Sequence, residues 1–143
     1  MKTKIVTYDL SKWIPEPHVL RFCRKQNFNL GLKADNAKKG DSAIAGRLEG
    51  NLETQTGFLF VLLEGEKLVG WGLCSDTVRM CGTNTEFQMY VPVAQRGKGL
   101  GKKLLKKATT ICGKVRVFVT DQNEAFYKRC GVTPYGTLTG SKL

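Results

Sequence analysis

One stretch restricts this chain more than any other. Thr85 to Val91 reads as a strand that ends at Pro92, and a glycine-rich run follows at once. Leu100, Leu104, Ala108 and Ile111, with Leu105 and Cys112 beside them, then recur at helical spacing until Gly113. Val115, Val117 and Val119 alternate in the manner of a further strand. A strand that passes through a flexible loop into an amphipathic helix, and on to another strand, buries its apolar groups by laying that helix on a sheet.

The rest of the chain is consistent with that arrangement. Lys4 to Tyr8 is a short first strand, and Pro15 and Pro17 open a helix running to about Gln26. Residues 27–40 read as a loop, with Asp41 and Ser42 capping a second helix through about Leu52. The apolar run from Gly57 to Leu63 has strand length, and the turn Glu64-Gly65-Glu66 joins it to Lys67 to Cys74 as a hairpin. Asn123 to Arg129 forms a short helix stopped by Gly131. The expected order is β-α-α-β-β-β-α-β-α with a short tail. This is an α/β fold of the α+β type: one domain over residues 1–143, a mixed and mostly antiparallel sheet, helices on both faces and a shortened C-terminal end.

A length of 143 residues and a hydrophobic share of 41% suit a single core. No stretch approaches the roughly 18 apolar residues that cross a bilayer, and Met1 to Val6 runs into Tyr8-Asp9 without the apolar segment of a signal peptide. Five scattered cysteines and one histidine, His18, give little support to a disulfide framework, a zinc site or a His-dependent nucleophile. The expectation is a soluble cytoplasmic protein with free thiols and no metal. The final Ser141-Lys142-Leu143 has the form of a peroxisomal address, which carries meaning only in a eukaryote.

Charge placement is more informative than its total. Residues 87–120 hold Arg96, Lys98, Lys102, Lys103, Lys106, Lys107, Lys114 and Arg116 and no acidic residue, so this segment supplies +8 of the net +11. A local basic patch of this kind fits a phosphorylated cofactor or a nucleic acid.

The run Arg96-Gly97-Lys98-Gly99-Leu100-Gly101-Lys102 joins a strand to a helix N-terminus. Glycines let a ligand approach the backbone, and free N–H groups with the helix dipole behind them favour an anion such as a pyrophosphate. A P-loop would need glycine at position 96 and Ser or Thr at 103, where this chain has Arg96 and Lys103. A dinucleotide G-x-G-x-x-G would need glycine at 102, which is lysine. The pattern Q/R-x-x-G-x-G/A is satisfied by the segment beginning at Gln95 and Arg96.

That segment resembles the signature with which the GNAT N-acetyltransferase superfamily holds the pyrophosphate of acetyl-CoA. Met89-Tyr90-Val91-Pro92 resembles the end of the family's fourth strand, and Phe126-Tyr127-Lys128-Arg129-Cys130-Gly131-Val132 its F-Y-x-x-x-G-F motif. Together these cover residues 85–132. The resemblance implies direct acetyl transfer from acetyl-CoA to an amine of a small molecule or protein. It implies cofactor contacts at Met89, Tyr90, Val91, Gln95, Arg96, Gly97, Lys98, Gly99, Leu100, Gly101, Lys102 and Asn123. It also makes Tyr127 the acid that protonates the departing thiolate. A phenol is protonated at neutral pH and can donate.

Many members carry a glutamate three positions before the strand tyrosine, and this chain has Phe87 there. Glu86 is the carboxylate of this strand and the candidate base, with Gln88 and Tyr90 on its face and Phe87 and Met89 on the other. Two further readings stay open. One is acetylation of aminoacyl-tRNA, as in basic toxin-like relatives. The other is a non-catalytic regulatory module that binds CoA or nucleic acid.

Overall fold

The computed structural model describes residues 2–26, 48–79, 82–117, 124–132 and 137–138. Among the described residues six strands pair in sequence order: β1 (Thr3–Asp9), β2 (Phe58–Glu64), β3 (Lys67–Arg79), β4 (Gly82–Tyr90), β5 (Val115–Val117) and β6 (Thr137–Leu138). Every pairing is antiparallel except β4 with β5, where Glu86 and Phe87 lie opposite Arg116 and Val117 in parallel. The helices are α1 (Pro17–Gln26), the helical residues 48–54 of α2, α3 (Leu100–Cys112) and α4 (Glu124–Arg129). Among the described residues no helix is long and apolar enough to cross a membrane.

The sheet separates two cores. On one face Phe60, Leu62, Phe87, Val115 and Val117 meet Leu104, Leu105 and Ala108 of α3 and Tyr127 of α4. On the other Leu59, Val61, Trp71, Leu73 and Tyr90 meet Val19 and Cys23 of α1 and Leu48 of α2. Neighbouring residues of β2 and β4 therefore serve opposite cores, as the two-residue period of a strand requires. A continuous apolar run in β2 marks a strand covered on both sides.

β3 changes phase along its length. Leu62 pairs with Gly70 and Leu63 with Leu68, so Val69 is an extra residue on β3 at a bulge. Beyond it Gly70, Gly72 and Cys74 lie in register with Leu62, Phe60 and Phe58 on the α3 side. Trp71 and Leu73 take the α1 side. Gly72 has a packing role there, because a Cβ on it would meet Phe87 Cε1 at 2.6 Å.

Several sequence readings change. β3 continues to Arg79 and β4 begins at Gly82, where strands ending at Cys74 and starting at Thr85 were expected. Their continuous register, Trp71–Tyr90 through Arg79–Gly82, holds a segment with little apolar signal of its own in strand form. The C-terminal tail adds β6, whose Leu138 and Thr137 pair with Val115 and Arg116. The expected loop 27–40, the Asp41-Ser42 cap and Val119 lie outside the described residues.

Candidate active site

Helix α3 opens at Gly99, which has φ 77° and makes no side-chain cap. Its carbonyl accepts the first helical bond, from Lys103 N–H at 3.2 Å. The first turn holds no acidic residue, while Lys102 and Lys103 stand exposed there. Cations at the positive end of a helix dipole, beside backbone N–H groups with no capping side chain, form a local imbalance that a bound anion relieves.

The three glycines of the loop divide into two roles. Gly97 and Gly99 have φ of 82° and 77°, and nothing lies within 4 Å of where their Cβ atoms would be. They leave the backbone open to a ligand. Gly101 does the opposite, since a Cβ there would stand 3.2 Å from Phe126 Cζ and 3.4 Å from Met89 Cε. It lets the first turn of α3 close onto the end of β4 and onto α4. Leu100 is buried in the α3-side core, so its side chain fills the interior and only its backbone faces the loop.

The loop side chains are partly committed to one another. Arg96 turns back, donating from Nε to the Val91 carbonyl at 2.9 Å with its guanidinium 5.8 Å from the centre of the Tyr90 ring. That contact, a cation over an aromatic face, braces the exit of β4 against the loop. Lys98 Nζ donates to Gln95 Oε1 at 3.0 Å. Gln95 N–H in turn donates to the Pro92 carbonyl at 2.8 Å, closing the short 3₁₀ turn Val93–Gln95.

Tyr127 is buried in the α3-side core, packed edge to face on Phe126 with ring centroids 5.2 Å apart. Burial pushes its phenol well above the ordinary tyrosine range, and nearby Cys130 adds to the shift. The hydroxyl therefore holds its proton throughout the neutral and mildly alkaline range. Burial also pushes the Cys130 thiol up, against the opposing pull of Lys102 and Arg129. Glu86 follows the expected alternation. Its strand neighbours Phe87 and Met89 pack with α3, whereas Tyr90 packs on the α1 side, so Glu86 and Tyr127 belong to opposite faces of the sheet. Asn123 lies outside the described residues.

The structure thus gathers Met89, Gly101, Phe126 and the loop at one end of β4, with Tyr127 beside them on α4. Phe126 was read only as part of a motif. Its packing against Gly101 was missed because nothing in the spacing of the two residues brings them together.

Residues 55–134 match the family profile described as the acetyltransferase (GNAT) domain. The chain belongs to the GNAT acetyltransferase family. Acyl-CoA-dependent N-acetyl transfer is the activity class this membership assigns to it. A GCN5-related N-acetyltransferase from Ralstonia eutropha JMP134 superposes with a TM-score of 0.69 at 14% identity, covering 93% of this chain and 94% of that one. Glucosamine-6-phosphate N-acetyltransferase from Arabidopsis thaliana gives 0.58 at 19% identity, with 93% and 92% covered. A predicted acetyltransferase from Clostridium acetobutylicum, solved with acetyl-CoA, gives 0.56 at 15%, with 92% and 90% covered. At such identities these likenesses concern the fold. No curated protein sequence matches the chain significantly.

Proposed function

We propose that the chain transfers the acetyl group of acetyl-CoA directly to an amine of a small molecule or protein. The observation that carries the reading is the N-terminus of α3: a left-handed Gly99, no capping side chain, no acid in the first turn, and Lys102 and Lys103 exposed beside it. Those features fit a pyrophosphate. Gly97 and Gly99 leave room for it, and Lys98 and Lys102 supply charge.

The bound acetyl thioester supplies an activated acyl carbon; the protein positions the groups around it. The backbone of Met89, Tyr90 and Val91 orients the acyl arm, held in place by the Arg96 brace on Tyr90 and Val91. Glu86, the carboxylate of β4, takes the proton the amine loses on attack. Tyr127 keeps its proton until the carbon–sulfur bond breaks and then gives it to the leaving sulfur, a general-acid role for a group that burial keeps protonated. The amine gains an acetyl group, the thioester becomes a thiol, and the proton count balances.

The test has two stages. Acetyl-CoA should raise the melting temperature, and a screen of amines, peptides and tRNA with labelled acetyl-CoA should find the acceptor. Stabilisation with no acetylated product from any acceptor class would favour a CoA-binding regulatory module.

A further inference from the structure

The lysines of α3 outnumber what a cofactor at its N-terminus can use. Lys106 lies six residues into the helix, about 9 Å along the axis from Leu100 at 1.5 Å per residue, and Lys114 lies beyond its end. Lys102, Lys103 and Lys106 are exposed, Lys107 is half exposed and Lys114 is exposed. Lys103 Nζ donates to Thr3 Oγ1 at 2.6 Å, which ties the helix face to the end of edge strand β1. Arg24 pairs with Glu49, on α1 and α2, away from this face. The i,i+4 pairs Lys102–Lys106 and Lys103–Lys107 repel one another by about 0.2–0.5 kcal/mol each on an isolated helix.

We propose that the outer face of α3, continuing to Lys114, docks the phosphodiester backbone of a nucleic-acid duplex. The helix lysines from Lys102 to Lys107 span about 7.5 Å of axis, over which one duplex strand presents about two phosphates at 3.4 Å spacing, and Lys114 beyond the helix end adds a further contact. A membrane surface fits less well, because the apolar side of α3, with Leu100, Leu104, Leu105 and Ala108, is already buried against the sheet. A protein partner would want an apolar centre to the patch. Ile111 is the large apolar residue exposed on this helix, and the other exposed ones among the described residues, Trp13 and Ile14, precede α1. A single strand would want aromatic platforms, and α3 carries none. What the face offers is rigid, linear positive charge, which suits a duplex backbone. The inference stands apart from the acetyl-transfer reading, since Lys106, Lys107 and Lys114 have no part in that site.

Fluorescence anisotropy with labelled RNA and DNA duplexes of equal length, over a series of salt concentrations, tests it. The wild type should bind with a log–log salt slope of about −3 or steeper, corresponding to three or more neutralised phosphates. Replacing Lys106, Lys107 and Lys114 together by glutamine should flatten the slope by about 3, near one unit per contact. The same exchange at Lys12, Lys25 and Lys67, exposed elsewhere, removes equal net charge and should leave the slope in place. Arginine at the three α3-face positions should preserve it. Acetyl-CoA stabilisation should be unchanged in every variant, which separates this proposal from the cofactor reading. No duplex binding at low salt, or equal losses from both glutamine triples, overturns the proposal. Preference between the RNA and DNA arms identifies which duplex the face takes.

Discussion

The ring of Phe87 lies so close over Gly72 that a Cβ on the glycine would stand 2.6 Å from Cε1 and 2.8 Å from Cζ. Phe87 is 1% exposed and also meets Phe60 edge to face, so it has little room to retreat. Phe87, at the position where the resemblance implies a glutamate, is part of the hydrophobic floor beneath α3. Gly72→Ala is therefore expected to destabilise the fold by about 1–3 kcal/mol, the usual cost of overpacking. Adding Phe87→Leu should recover part of that loss. Urea denaturation of the two single variants and the double variant measures the coupling, and strict additivity would show that the two side chains do not compete for space.

Gly99 and Gly101 should respond to substitution in opposite ways. At Gly99 a side chain meets open space but a left-handed φ, so Gly99→Val is expected to cost about 1–2 kcal/mol in backbone strain, keep the fold and lose the ligand. Acetyl-CoA at 100 times its dissociation constant stabilises the wild type by about 2.7 kcal/mol, and the Gly99 variant should show almost none of this. Gly101→Val should lower stability in the absence of ligand, through Phe126 and Met89. Thermal melts with and without acetyl-CoA separate the two cases. A full ligand shift in the Gly99 variant would argue against the loop as the pyrophosphate cradle.

Tyr127→Phe is expected to lower kcat by about 10²–10⁴-fold while leaving acetyl-CoA affinity near the wild-type value. The ring packing on Phe126 is retained, and only the hydroxyl is lost. Because the phenol is raised above its ordinary range, kcat should show no decline from its deprotonation across neutral and mildly alkaline pH. Turnover by the Phe variant at the wild-type rate would assign the sulfur's proton to solvent.

Cys23 gives a prediction about stability and pH. Burial pushes its thiol up to about 12 from an ordinary value of 9.0. Between those values the unfolded chain loses the proton and the native state keeps it. The native state then binds more protons, so stability is full below about pH 9 and falls as pH rises toward 12. Tyr8, also raised to about 12, acts in the same direction. Urea midpoints compared at mildly and strongly alkaline pH should fall less in Cys23→Ala than in the wild type. Equal slopes would mean that the thiolate is tolerated in the α1-side core.

The parts of the fold legible in the sequence are those where burial imposes a period. The two-residue alternation in β4 and β5, and the three-to-four-residue spacing in α3, come from side chains that each face one core. The glycine-rich loop was legible because positive φ and close approach both select glycine. Features that depend on partners far along the chain were not. Residues 75–79 of β3 and the start of β4 hold each other in register, and β6 exists because β5 offers it an edge. Gly101 reads as one more ligand glycine until Phe126 is seen against it, and Arg96 reads as a phosphate contact until it turns back to Val91. For the site itself, residue types and order were legible, while the division of Glu86 and Tyr127 between two faces became firm only once both cores were defined.

The bulge at Val69 sets a rule for how the β2–β3 hairpin can change length. Everything beyond it in β3 is offset by one residue from the phase of the hairpin tip, with Trp71 on one side and Gly70 and Gly72 on the other. Deleting Val69 alone would leave Leu68 opposite Leu63, Gly70 opposite Leu62 and Trp71 opposite Val61, so the bulge would close into a regular ladder and the indole would keep the α1 side. Deleting Gly72 instead, with the turn held fixed, would set Leu73 opposite Phe60 on the α3 side, an inversion that no single substitution elsewhere in the strand could repair. Lineages descended from this chain should therefore lose a single residue at the bulge more readily than between Trp71 and Cys74, where a deletion would need a compensating insertion in the same strand.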